Sequence, residues 1–272
     1  MPGYIGQVAI VTGASRGIGR ALALGLAQAG FNIVVAAKST EPSEKLPGSI
    51  FTVAAEIARL GVEALPVRVD VRDAEQVEQM AAQARDRFGR IDVLINNAGA
   101  LYWAGILDTP AKRYDLVHAV NVRGAFLCCR AVLPSMIQQN HGHIINMSPP
   151  LDCSILPGRI AYGISKLGMT LLTLGLAEEV RPYNIAVNSL WPATIIESQA
   201  SINHHLGTPE QWRSPSILVD CVLRLVEKEP RTLTGQTLLD EDFLRAEGIT
   251  DFRKYACVPG TEPPRLSWQT QK

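Results

Sequence analysis

Excess charge of either sign is missing from this sequence: Lys and Arg total 26, and Asp and Glu total 26. Nucleic acids and anionic membrane surfaces recruit proteins through surplus basic charge, so neither is expected as a partner. A balanced surface also does little to hold copies of the chain apart, which suits self-association. Cysteine is scarce. Cys128, Cys129, Cys153, Cys221 and Cys257 are odd in number and show no C-x-x-C spacing, which argues against a disulfide framework or a zinc knuckle. Reduced thiols in a cytoplasmic setting are the expectation. The opening "MPGYIGQ" lacks the basic and apolar regions of a secretory signal. No uninterrupted apolar run is of membrane-spanning length, so no membrane insertion is expected. Repeats and low-complexity linkers are absent too, and a single domain is the economical reading of 272 residues.

What is present is an alternation. Short β-branched runs, "VAIVT" (8–12), "FNIVVAA" (31–37), "EALPVRVDV" (63–71), "IDVLIN" (91–96), "GHIINMS" (142–148), "IAVNSLW" (185–191) and "GQTLLD" (235–240), are separated by helical stretches. Several of these runs are apolar throughout, as strands covered on both faces should be. Seven strands with helical crossovers predict a single-domain α/β fold. Its form would be a Rossmann-type, doubly wound parallel sheet with helices on both faces. Segments 38–49 and 192–215 are irregular. The second leaves the sixth strand, where such sheets border their ligand crevice, and reads as a lid or as an ordinary surface loop.

"TGASRGIG" (12–19) joins the first strand to a helix. Glycines at 13, 17 and 19 permit a tight turn and close approach of a pyrophosphate to the helix N-terminus, so a dinucleotide is the expected ligand. The second strand ends Ala36-Ala37-Lys38, without the carboxylate that would bind free ribose hydroxyls. Lys38 and Arg16 are cations placed for a 2′-phosphate, and NADP(H) is therefore the expected cofactor.

Tyr162 and Lys166, four apart on a predicted helix, share one face. A free phenol ionises near pH 10. A neighbouring ammonium would stabilise the phenolate and bring the group toward working pH for proton transfer. "HGH" (141–143) and "HH" (204–205) lack accompanying ligands, and no metal is expected. "ALYWAGILDT" (100–109) reads either as a lining for an apolar substrate or as core.

With "TGASRGIG", "NNAG" (96–99), "NVRGAF" (121–126) and "YGISK" (162–166) together, the chain resembles the short-chain dehydrogenase/reductase family over about 6–240. The features "AAKS", "SPPL", "LWP" and "LLDEDFLRAEGI" narrow the resemblance. They point to a branch that includes hydroxysteroid dehydrogenase-like and citronellol/citronellal dehydrogenases, so the substrate is not fixed. The resemblance implies residues 1–240 as the dinucleotide-binding and catalytic domain, with 241–272 an extension packed on it. It places Gly13, Ser15, Arg16, Gly17, Ile18 and Gly19 at the cofactor phosphates and Lys38 by the adenosine ribose. Asp70 and Val71 would meet the adenine. Asn97, Ala98 and Gly99 would line the cofactor beside Asn96, and Pro192 to Ile195 would hold the nicotinamide amide. There Ala193 replaces the glycine that usually follows the proline.

Tyr162 would be the general acid/base, Lys166 would also bind the nicotinamide ribose, and Asn121 would tie Lys166 into a proton relay. The family's serine usually lies about thirteen residues before the tyrosine, where this chain has Pro149. Ser148 lies one residue earlier. Ser148 could serve, Ser154 could reach in, or Tyr162 could act alone. The implied activity is NADP(H)-linked interconversion of a carbonyl and an alcohol on a moderately apolar small molecule, by a homodimer or homotetramer. The alternatives are a nucleotide-binding sensor or scaffold with little turnover, and a fold relative with lyase or epimerase chemistry.

Overall fold

The computed structural model describes residues 3–43, 47–151 and 157–266. The apolar runs form a seven-stranded, all-parallel sheet in the order β3-β2-β1-β4-β5-β6-β9. Its strands are β1 (Val8–Thr12), β2 (Asn32–Ala37), β3 (Ala64–Arg68), β4 (Val93–Asn96), β5 (Gly142–Asn146), β6 (Ile185–Trp191) and β9 (Thr237–Leu239). Residues of β1, β4 and β5 are buried throughout, as their unbroken apolar patterns require. One face carries α1 (Gly17–Gln28), α2 (Ile50–Ala58) and α8 (Ser216–Glu227), packed through Leu22, Ile57 and Leu218. The other carries α3 (Ala74–Phe88), α5 (Gly124–Gln139) and α6 (Ile160–Glu179), packed through Met80, Val132 and Ala177. The strand order reverses between β1 and β4, and in sheets of this kind ligands bind in the crevice outside that point.

Local chemistry sets the helix ends. Asp73 caps α3 by accepting from the Glu75 and Gln76 amides, and Gly89 ends it with φ 75°, a left-handed turn that suits glycine. Helix α4 (Ala111–His118) runs into α5 through a π-turn at Ala119–Arg123. The resulting 29-residue helix and α6 are, by length and composition alone, long and apolar enough to cross a membrane. Charged residues interrupt both, Arg123 and Arg130 in the first and Lys166 in the second. Half of the apolar stretch in each is buried inside the fold, because these helices pack against the sheet and each other.

Segment 192–215 is a built substructure. It holds β7 (Ile195–Ile196), α7 (Gln199–Asn203) and β8 (Trp212–Arg213), with β7 and β8 paired in parallel. The later chain folds back onto it. Cys257 donates its amide to the Trp212 carbonyl at 3.1 Å, and Leu266 donates to that of Ala193 at 2.7 Å.

Candidate active site

The carboxyl ends of β1 and β4 are stitched together by one side chain. Thr12 Oγ1 accepts from the Asn97 and Ala98 amides, both at 3.0 Å, and donates to the Ile95 carbonyl. Asn97 Nδ2 returns a bond to the Thr12 carbonyl at 2.9 Å. The glycine loop rests on this seam. A Cβ on Gly19 would lie 2.3 Å from the Gly13 carbonyl oxygen, and one on Gly13 would lie 2.9 Å from the Ala98 Cα. Only glycine lets strand, turn and helix close this tightly. Ser15 is buried and Ile18 half-buried beside it. Helix α1 has no side-chain cap and no acid in its first turn, whereas α2 and α3 are capped by Ser49 and Asp73. Its first amides are thus left for an anion. This cradle fits the pyrophosphate of a dinucleotide.

Three cations gather near the tip of β2. Arg16 Nη2 donates to Ser39 Oγ at 2.8 Å and to the Gly48 carbonyl at 3.2 Å, pinning the β2–α2 loop to the glycine turn. Lys38 is exposed and pairs with Asp70 at 3.2 Å. Arg72 binds the same carboxylate at 2.6 Å, and its hydrogen bonds hold the Asp70 carboxyl well below the usual range. Arg72 is not among the residues that the sequence reading selected, although it stands two positions after Asp70. Val71 is buried between them and would be touched by any Cβ on Gly124.

Helix α6 brings the remaining candidates together. It grips the chain on both sides of Ser148: Lys166 Nζ donates to the Met147 carbonyl at 2.8 Å, and Thr170 Oγ1 donates to that of Pro149 at 2.6 Å. Ser148 is fully buried, and its hydroxyl has no hydrogen-bond partner among the described residues. Such an orphan costs about 1–3 kcal/mol unless a ligand satisfies it. The Pro149 carbonyl thus anchors the turn in which Ser148 is buried. Ser154, the alternative, and Cys153 lie outside the described residues.

Tyr162 is half-buried, with Lys166 Nζ 5.9 Å from its ring centroid. Burial pushes the phenol above its ordinary range, and Arg159 is the charge that opposes the rise. Burial also lowers the Lys166 amine to about 7. Both groups are thus desolvated, which favours the neutral phenol and the neutral amine. The indole of Trp103 lies edge-on to Tyr162, with centroids 6.4 Å apart. Its ring also carries the Arg159 guanidinium at 4.3 Å and faces His204 at 6.4 Å. The segment at 100–109 is therefore neither all lining nor all core. Trp103 borders Tyr162, while Ile106 and Leu107 are exposed.

Asn121, in the π-turn, exchanges hydrogen bonds with the backbone of Ala100 and donates to Ser165 Oγ at 2.9 Å. Ser165 in turn donates to the Tyr162 carbonyl at 2.7 Å, so Asn121 couples the "NNAG" turn to α6. Gly99 completes the contact. A Cβ there would sit 3.6 Å from Asn121 Oδ1 and 3.9 Å from Lys166 Nζ. Asn96 turns away into the core and donates to Asn146 Oδ1 at 2.8 Å.

After β6, Pro192 and Ile195 are half-buried, while Thr194 is fully buried with a hydroxyl that has no partner among the described residues. Ala193 is absent from the positive-φ positions among the described residues, so the turn needs no glycine. Among the described residues, no three His, Cys, Asp or Glu side chains are grouped to hold a metal.

A family model described as short chain dehydrogenase matches residues 7–205. The chain belongs to that family. This short-chain dehydrogenase is 45% identical over 260 residues to hydroxysteroid dehydrogenase-like protein 2 of Danio rerio, covering 94% of its own length and 62% of the relative's. It thus spans less than two thirds of that relative. A solved short chain dehydrogenase of Mycobacterium thermoresistibile is 39% identical with a TM-score of 0.90, covering 97% of this chain and 95% of the other. A metagenomic short-chain oxidoreductase solved in complex with NADP is 30% identical with a TM-score of 0.74, at 87% and 97% coverage.

Proposed function

We propose that this short-chain dehydrogenase is an NADP(H)-dependent carbonyl reductase or alcohol dehydrogenase acting on a moderately apolar small molecule. The observation that carries this reading is Lys166, whose Nζ holds the Met147 carbonyl next to the buried Ser148 and lies 5.9 Å from the Tyr162 ring centroid. The cofactor, when bound, supplies or accepts the hydride. Gly13, Ser15, Gly17, Ile18 and Gly19 hold its phosphates, and Thr194 and Ile195 meet its nicotinamide half.

In reduction, Ser148 Oγ donates to the substrate carbonyl oxygen and fixes its orientation. Tyr162, kept protonated at neutral pH by burial, delivers the proton to that oxygen. Lys166 holds the Met147 carbonyl, and through it the serine turn, and offers its ammonium to the cofactor ribose. Asn121 fixes the "NNAG" turn against α6. Trp103 gives the substrate an apolar wall beside Tyr162. The apolar faces of α5 and α6, with Phe126 and Leu171 exposed, suit pairing of copies.

Selection of NADP(H) rests on Arg16 and Lys38, with Arg72 adding charge, and on the lack of a carboxylate at Ala37. Quenching of tryptophan fluorescence should show NADPH binding at least about ten-fold more tightly than NADH, the value of one charge-assisted phosphate contact. Lys38→Glu should erase that preference. Equal affinities in the wild type would remove the cofactor assignment.

A further inference from the structure

The segment that leaves β6 is held from behind by two residues far along the chain. The Ala193 amide donates to Asp240 Oδ1 at 2.8 Å, and the Ala193 carbonyl accepts from the Leu266 amide at 2.7 Å. Both peptide groups of one residue are thus taken by partners that lie beyond residues 7–205, the stretch matched by the family model. Asp240 is fully buried at the start of α9 (Asp240–Ala246), and its Oδ1 also accepts from the Glu241 amide at 2.6 Å.

A carboxylate in such a place is costly, because burial disfavours its charge and its Oδ2 has no partner. The nearby cation, Arg213, is spoken for by Glu241 at 3.1 Å. The one acceptor therefore ties the Ala193 amide to the first turn of α9. The next residue, Thr194, carries the fully buried, unpartnered hydroxyl.

We propose that Asp240 and Leu266 are positioning residues. They clamp Ala193 so that the Thr194 hydroxyl and the Ile195 backbone are presented to the nicotinamide half of the cofactor. The clamp rests on the reading that residues 192–195 face the nicotinamide.

The test uses the full-length protein with two probes, NADPH and adenosine 2′,5′-bisphosphate, which shares only the adenosine half. Asp240→Ala removes one bond. Leu266→Pro removes the other by deleting a single backbone N–H near the surface. Each variant should bind NADPH about ten-fold more weakly and lose kcat, while bisphosphate affinity stays within about two-fold of wild type. Asp240→Asn, which keeps a carbonyl acceptor, should recover most of the NADPH affinity.

Unchanged NADPH binding and kcat in both variants would overturn the clamp. So would an equal loss for both probes, which would mark a general structural role. If the wild type binds NADPH no better than the bisphosphate, the nicotinamide reading itself falls and takes the clamp with it.

Discussion

Tyr162→Phe is expected to lower NADPH-linked carbonyl reduction by about 10³-fold, the scale of a lost general acid. NADPH affinity should stay close to wild type, because the substitution removes one oxygen from a ring whose packing against Trp103 is otherwise kept. The pH behaviour follows from direction. Burial raises the phenol pKa, so the proton to be delivered is present throughout the neutral range and is lost only in alkali. Reduction should therefore be flat near neutrality and fall at high pH. Oxidation of the alcohol, which needs the phenolate, should climb over the same range. Both limbs should vanish in the phenylalanine variant. A variant that keeps more than a tenth of the wild-type rate would move proton delivery to another group.

Ser148→Ala should lower kcat by about 10²–10³-fold, the usual cost of removing one donor to a developing oxyanion. Its effect on stability should have the opposite sign. The Ser148 hydroxyl is buried and makes no bond among the described residues, so alanine loses none of them and relieves a desolvated group. The unliganded variant should be as stable as the wild type or up to about 1 kcal/mol more so, a rise in Tm of about 2 °C. A loss of stability would mean that the hydroxyl has a protein partner and is not held for substrate. Activity unaffected by the change would leave Tyr162 acting alone.

The strands were legible because a parallel sheet covered on both faces demands runs of Val, Ile and Ala, and β1 and β6 fall on the residues read from "VAIVT" and "IAVNSLW". The glycine turn was legible for a similar reason: close backbone approach leaves a mark in residue type. Side-chain partnerships were not. Nothing in "SPPL" says that Thr170 and Lys166 hold the carbonyls flanking Ser148, since those bonds cross from strand end to helix. Arg72 was overlooked because its bond to Asp70 comes from a local turn, not from a motif. The desolvation of Tyr162 and Lys166 was not legible because spacing reports proximity but not burial. Asp240 stands 47 positions from Ala193, and no local pattern connects them.

The π-turn at Ala119–Arg123 amounts to one surplus residue threaded into an otherwise regular rod. Excising a single residue there would restore uniform winding, yet it would swing everything downstream by about 100°. Cys128, Val132 and Met136, now against the sheet, would be rotated off that face. The irregularity thus acts as a register key. It lets Asn121 point at the "NNAG" turn and the rest of the same helix point at the sheet, two orientations that no ordinary helix could satisfy at once.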